Sequence, residues 1–210
     1  MKYQPSFLGD KNFEDMGFPF IDLDEDGDLD LFVASGGVEC VPGSSLLLDR
    51  IYLNDGLGNF TKGHSSLMPD IRTSSSVVAA ADIDLDGTQE IFIGGRVVPG
   101  KYPLSPNSFI IKKIGSNYSD ATTKLAPEIK NAGMVTSAIF SDVDIDGWPD
   151  LLVTYEWGPV RFFYNDSGFL YDRTADVDMA ERLGWFNSIS GGDIDNDGDI
   201  DFVLGNTGYN

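Results

Sequence analysis

The chain has 210 residues, 41% of them apolar, enough for one large core or two small ones. Its net charge is −20, from 34 acidic and 14 basic residues with no basic patch, which excludes nucleic acid as a partner. The single cysteine, Cys40, excludes an internal disulfide, and no apolar run approaches the length of a membrane-spanning helix, so no transmembrane segment is expected.

The N-terminus, Met1-Lys2-Tyr3-Gln4-Pro5, lacks the apolar stretch of a secretory leader, so any export signal would lie outside this chain. From residue 18 onward one unit recurs. A short strand, Phe18–Ile21, meets Asp22-Leu23-Asp24-Glu25-Asp26-Gly27-Asp28-Leu29-Asp30 and continues as Leu31-Phe32-Val33. The arrangement returns three times. Val77–Ala81 leads through residues 82–90 to Ile91-Phe92-Ile93, Ala138–Phe140 through 142–150 to Leu151-Leu152-Val153, and Ser188–Ser190 through 193–201 to Phe202-Val203-Leu204. The loops start at 22, 82, 142 and 193, and repetition at such a period signals an array of like units.

A second hairpin follows each of the first three. Arg50–Gly56 turns into Phe60-Thr61, Phe109–Lys113 turns through Gly115-Ser116-Asn117 into Tyr118, and Arg161–Gly168 turns into Phe169–Tyr171. Asn, Asp and Gly between apolar runs tolerate the left-handed backbone that tight hairpins need. Two hairpins per repeat make four antiparallel strands, the blade of a β-propeller. The expectation is an all-β chain of about three and a half blades, a partial propeller or a piece of a seven-bladed one. The blades would lie near 13–72, 73–132 and 133–184, with a half blade at 185–210. An open end would leave a strand edge available for self-association. Lys124–Ala132 and Val177–Leu183 are expected to form short helical connections.

Nineteen of the 34 acids fall in the four loops, and the rest of the chain carries 15 acids against 14 bases. Two carboxylates ~5 Å apart repel by roughly 3 kcal/mol at an effective dielectric of ~20, so acids this concentrated call for cations. Ca²⁺ takes six to eight hard oxygen ligands. Acids at positions 1, 3 and 5 can face one ion if the chain curls, and a glycine at position 6 permits the bend. Position 7 adds a backbone carbonyl and the acid at position 9 closes the cage. The candidate ligands are Asp22, Asp24, Asp26, Asp28 and Asp30; Asp82, Asp84, Asp86, Thr88 and Glu90; Asp142, Asp144, Asp146, Trp148 and Asp150; and Asp193, Asp195, Asp197, Asp199 and Asp201. That predicts about four Ca²⁺. An EF-hand would need a Glu at position 12 and flanking helices. Position 12 is Val33, Ile93, Val153 and Leu204, and the flanks are strands.

The Asp-x-Asp-x-Asp-Gly-x-x-Asp/Glu hairpins resemble the FG-GAP/VCBS repeats of integrin α-subunit propellers and their bacterial relatives. Residues 49–60, 94–103, 125–136 and 193–206 are most similar to bacterial VCBS-repeat proteins of the ASPIC/UnbV and cartilage acidic protein type. The resemblance implies a seven-bladed, Ca²⁺-stabilised propeller in the intact protein. It also implies a place outside the cytoplasm: extracellular, periplasmic or cell-surface.

No catalytic constellation is visible. His64 is the only histidine and reads as a loop residue, and the paired carboxylates are better explained as Ca²⁺ ligands than as acid and base. The chain therefore reads as a non-enzyme, an adhesion or ligand-binding module. The connections 34–49, 94–108 and 154–160 face away from the acidic loops and carry Arg96, Tyr102, Tyr155 and Trp157, which suit a carbohydrate or protein ligand. Trp185 is expected to pack in the core. The alternative is a polysaccharide lyase-like propeller, with Arg96, Lys101, Tyr102 and Tyr155 as its candidate residues.

Overall fold

The computed structural model describes residues 4–177 and 180–208. The strands are β1 (Asp15–Gly17), β2 (Phe20–Ile21), β3 (Asp30–Ser35), β4 (Arg50–Asn54), β5 (Phe60–Lys62), β6 (Ser75–Ala81), β7 (Glu90–Gly95), β8 (Phe109–Ile114) and β9 (Asn117–Asp120). They continue as β10 (Met134–Ser141), β11 (Asp150–Pro159), β12 (Arg161–Asp166), β13 (Phe169–Asp172), β14 (Leu183–Gly192) and β15 (Asp201–Asn206). Every pairing is antiparallel between chain neighbours, apart from one link. β1 and β2, as one broken strand, start the first meander with β3–β4–β5; β6–β7–β8–β9 is the second and β10–β11–β12–β13 the third. The link joins the far end of β11 to β14, pairing Glu156 with Trp185 and Pro159 with Leu183, so the β14–β15 hairpin is hydrogen-bonded to the third sheet. The chain is thus all-β and built of propeller-like, four-stranded blades.

The blades stack face to face, and strand alternation decides which contact each side chain enters. Ile91 and Ile93 of β7 pack with Ile21, Phe32 and Ile51 of the first blade. Phe92, between them, packs with Val135, Leu151, Val153 and Phe163 of the third. Every residue of β7 is buried. That explains why its sequence is a continuous apolar triplet rather than an alternating one. The blades approach so closely at Gly94 that a Cβ there would lie 2.6 Å from the Val135 side chain.

A feature invisible in the motif pattern recurs six residues before each loop. The register slips at Met16, Ser76, Thr136 and Asn187, leaving one unpaired residue in the first strand of every blade. Such a bulge sharpens the local twist and re-aims the extra side chain. Two of the four use it to join blades. Ser76 Oγ donates to the Val135 carbonyl at 2.8 Å, and Thr136 Oγ1 to the Phe186 carbonyl at 2.5 Å.

The connection expected to be helical at Lys124–Ala132 is one α-turn, α1 (Thr122–Leu125), followed by a 3₁₀ turn over Pro127–Ile129. Ala126 precedes the proline and is pushed out of the helical region, which separates the two turns. The helical expectation at Val177–Leu183 falls partly on 178–179, outside the described residues; a 3₁₀ turn ends at Val177, and Leu183 already belongs to β14. Among the described residues no helix is long and apolar enough to cross a membrane.

Candidate functional site

The four acidic loops share one backbone design. The first carboxylate caps the turn: Asp22 accepts from the N–H of Glu25 (2.8 Å) and Gly27 (3.1 Å), Asp82 from Asp86 and Gly87, Asp142 from Asp146 and Gly147, and Asp193 from Gly198. The carboxylate at position 5, Asp26, Asp86, Asp146 or Asp197, holds the N–H of position 7, which is Asp28, Thr88, Trp148 or Asp199. The glycine at position 6 has φ between +91° and +98° in all four loops. Position 4 is left-handed as well, at Glu25 (+65°), Leu85 (+54°), Ile145 (+60°) and Asn196 (+63°). For a β-branched residue such as Ile145 this is a strained conformation. The curl therefore needs two left-handed residues, of which only the glycine advertises itself in the sequence.

The curl gathers carboxylates. Oxygens of Asp22, Asp24 and Asp30 lie within 4.8 Å of one another, as do those of Asp82, Asp84 and Glu90, of Asp142, Asp144 and Asp146, and of Asp193, Asp195 and Asp197. Partial desolvation, then the charges of their neighbours, raise the pKa of Asp24 and Asp28; at Asp199 the charge of Asp197 is the leading cause. Asp28 Oδ1 is buried without any hydrogen-bond partner. Asp28 stands beside the cluster rather than in it, and an orphaned oxygen next to an all-oxygen donor set fits a hard cation.

Position 9 does something more than close the cluster. Asp30 and Asp150 are completely buried. One oxygen of each accepts the N–H of loop position 2, Leu23 (2.9 Å) or Val143 (3.0 Å). The other accepts from the third strand, at Asn54 (2.8 Å) or Asn165 (2.7 Å). The acid latches the loop to its own blade. Burial pushes the Asp150 carboxyl up to about 6 despite these N–H donors, and the charges of Asp144 and Asp146 add to the rise.

The second loop departs from this scheme. Glu90 Oε2 accepts the N–H of Ile83 at 2.9 Å, but Oε1 receives the ammonium of Lys112 at 2.6 Å. The same Nζ reaches Asp84 Oδ1 (2.8 Å), Asp84 Oδ2 (2.9 Å) and Asp86 Oδ2 (2.8 Å). Burial alone would lower the Lys112 pKa; its bonds to Asp84, Asp86 and Glu90 outweigh that and raise it, and its hydrogen bond lowers Asp86.

The loops are also tied to the following blade. Lys113 Nζ donates to the Leu23 carbonyl (2.8 Å) in the first loop, and Asn165 Nδ2 to the Ile83 carbonyl (2.9 Å) in the second. In these two loops position 2 buries its side chain in the core and lends its carbonyl to the neighbour.

At the other end of the strands, Arg96, Tyr102 and Trp157 meet around Glu156, which the sequence did not single out. Trp157 is seven residues from Asp150 along β11, about 20 Å. Arg96 pairs with Glu156 Oε2. The Tyr102 hydroxyl donates to Oε1 at 2.7 Å and accepts the Trp157 indole N–H at 2.8 Å. The rings stay open, Tyr102 59% and Trp157 63% exposed, beside a groove of about 520 Å³. Trp185 is not a core residue. It is half-buried and packs on Trp157 with centroids 4.9 Å apart. Tyr155 is not at this site: alternation sets it opposite Glu156, inward among Phe163 and Leu151 and 2% exposed, while a register slip at Trp157 (φ +62°) breaks the alternation and turns that ring out.

Four-stranded sheets stacked as blades, each with an acidic curl between its first two strands, define a β-propeller-like repeat module. The chain belongs to the FG-GAP family: the FG-GAP-like repeat matches residues 22–93 and 142–204, more than half of its length. Each matched stretch runs from the first aspartate of one loop to the apolar triplet after the next. No curated protein matches the chain.

Proposed function

We propose that this chain is a calcium-stabilised binding module that works outside the cytoplasm and is not itself an enzyme. The observation that supports it is the missing counter-charge. Among the described residues, no Lys or Arg pairs with any acid at positions 1, 3, 5, 7 or 9 of loops 1, 3 and 4, although Asp30 and Asp150 are fully buried. Carboxylates gathered within 4.8 Å of one another with no basic partner repel, which favours a bound cation, and an all-oxygen donor set favours a hard one. Asp22, Asp24 and Asp30, Asp142, Asp144 and Asp146, and Asp193, Asp195 and Asp197 would hold it; the ion neutralises the cluster and fixes the loop. At extracellular Ca²⁺ near ~2 mM and a Kd of ~0.1 mM, each ion stabilises the fold by about 2 kcal/mol. Thermal melts in EDTA, millimolar Ca²⁺ and millimolar Mg²⁺ test this. A rise in Tm specific to Ca²⁺ is expected; an equal Tm in all three buffers removes the reading.

A second observation favours carbohydrate as the ligand. Tyr102 and Trp157 present two exposed rings, held by a hydrogen-bonded, ion-paired Glu156 beneath them. Aromatic faces bind the C–H faces of sugars, and rings locked before binding lose little entropy. Trp157→Ala should abolish binding on a glycan array without moving Tm. A protein ligand retained by the variant, with no glycan bound by the wild type, would count against the sugar. Lyase activity would appear instead as rising ultraviolet absorbance on uronic-acid polymers.

A further inference from the structure

We propose that loop 2 binds no Ca²⁺ under conditions where loops 1, 3 and 4 do, because the Lys112 ammonium is its resident cation. The proposal rests on the calcium reading for the other three loops. Lys112 Nζ makes four contacts of 2.6–2.9 Å to three carboxylates, Asp84, Asp86 and Glu90, which are three of the four acids that would ligate an ion there. It occupies the place the ion would take, and a metal could enter only by expelling it. The side chain is 19% exposed, so the ammonium would leave a half-enclosed set of charge-assisted bonds to do so.

The substitution is concerted. Register aligns Ile111 with Tyr52 of the first blade and Phe163 of the third, each paired with the residue after the position-9 acid. Lys112 therefore stands where the sibling blades have Leu53 and Tyr164. Leu53 offers no charge, and Tyr164 offers only a hydroxyl, 3.3 Å from Asp146 Oδ2. The position-9 acid changes with it. Asp30 and Asp150 spend both oxygens on backbone N–H groups, whereas Glu90, one methylene longer, keeps one oxygen for the ammonium. Finally, Lys113 replaces the latching Asn54 and Asn165 and turns its charge to the first loop, where it meets Glu25 at 3.0 Å. Three neighbouring differences thus convert a metal cage into an internal ion-pair cluster.

The test counts ions on the full chain by equilibrium dialysis and native mass spectrometry. Three Ca²⁺ are expected on the wild type and four on Lys112→Leu. Asp84→Asn should leave the count at three, while Asp144→Asn lowers it to two; this pair decides the matter should Lys112→Leu fail to fold. Four ions on the wild type, falling to three in Asp84→Asn, overturn the proposal and leave the calcium reading standing. No bound Ca²⁺ on any variant overturns that reading instead. A melt in EDTA reads the ammonium alone: Lys112→Leu should melt below the wild type, and an equal or higher Tm would show that the cluster does not depend on it.

Discussion

Replacing Asp150 with alanine separates two roles that one carboxylate plays. Asp150 is fully buried and accepts the N–H of Asn165 at 2.7 Å and of Val143 at 3.0 Å. Alanine leaves both amides without an acceptor, that of Asn165 in a buried site and that of Val143 in a half-buried one, and each costs about 1–3 kcal/mol. The expected loss is therefore about 2–6 kcal/mol beyond any loss of metal. Asp146→Ala is the matched control. It removes a carboxylate from the same loop, but the Trp148 N–H it releases is at an exposed tip and can turn to water. Measured in EDTA and at about pH 8, where Asp150 is ionised, neither variant carries a metal contribution and the difference reads the latch alone. For a chain of this size 1 kcal/mol moves Tm by about 2–4 °C, so Asp150→Ala should melt on the order of 10 °C below Asp146→Ala by circular dichroism. Equal melting of the two variants would refute the latch.

Three further outcomes follow from other parts of the fold. Ile145 holds φ +60° while 68% exposed, so Ile145→Asn relieves a strain of about 1 kcal/mol without losing packing and should raise Tm by about 2–4 °C; a lower Tm would mean the isoleucine is held by something other than the curl. Thr136→Val removes the 2.5 Å bond to Phe186 and the 2.9 Å contact with the Thr154 hydroxyl at nearly constant volume, which should cost about 1–2 kcal/mol and speed amide exchange in β14 but not in β4; unchanged exchange in β14 would deny the bulge its joining role. Asp49 lies between the first two blades, and burial raises its carboxyl to about 7 even though Ser35 N–H, Ser75 Oγ and Arg50 pull it down. Its folded value lies above the ordinary 3.8, so the folded state keeps the proton longer, and the group takes stability away as pH rises from about 4 to about 7. Asp49→Asn should therefore melt above the wild type near pH 8 and beside it near pH 4; a gap that does not change with pH would sink the assignment.

The parts of this fold that were legible in the sequence are those in which composition and geometry coincide. The triplets Leu31–Val33, Ile91–Ile93 and Leu151–Val153 read as strands because a strand buried on both faces must be apolar throughout, and all three lie in second strands of their blades. Asn-Asp-Gly turns marked the outer hairpins because few other residues accept that backbone. The bulges at Met16, Ser76, Thr136 and Asn187 gave no such mark. What they require is a backbone slip, which a methionine, a serine, a threonine and an asparagine satisfy equally well. Tyr155 departs from expectation for a related reason: its neighbours are loop-like, yet β11 runs on to Pro159, and only a slip at Trp157, which no residue type announces, parts the exposed ring from the buried one.

The candidate site shows the limit more sharply, because charge counting treats every acid alike. Asp24 and Asp30 are the same residue type in the same nonapeptide, yet one is exposed and the other sits under its strand with both oxygens held by backbone N–H groups. The distinction depends on where β4 passes, some 24 residues further on, and no local motif encodes that. Loop 2 looked regular for the same reason. Asp82, Asp84, Asp86, Gly87 and Glu90 satisfy the pattern, and the residue that changes the chemistry lies 22 positions beyond Glu90 in another strand. A signal was present, in the Lys112-Lys113 pair standing where the sibling repeats carry Leu53-Asn54 and Tyr164-Asn165. It becomes readable only when the repeats are compared strand by strand rather than loop by loop. A cation-binding repeat is a property of the whole blade: the loop supplies the carboxylates, but the third strand decides whether a backbone amide or an ammonium meets them.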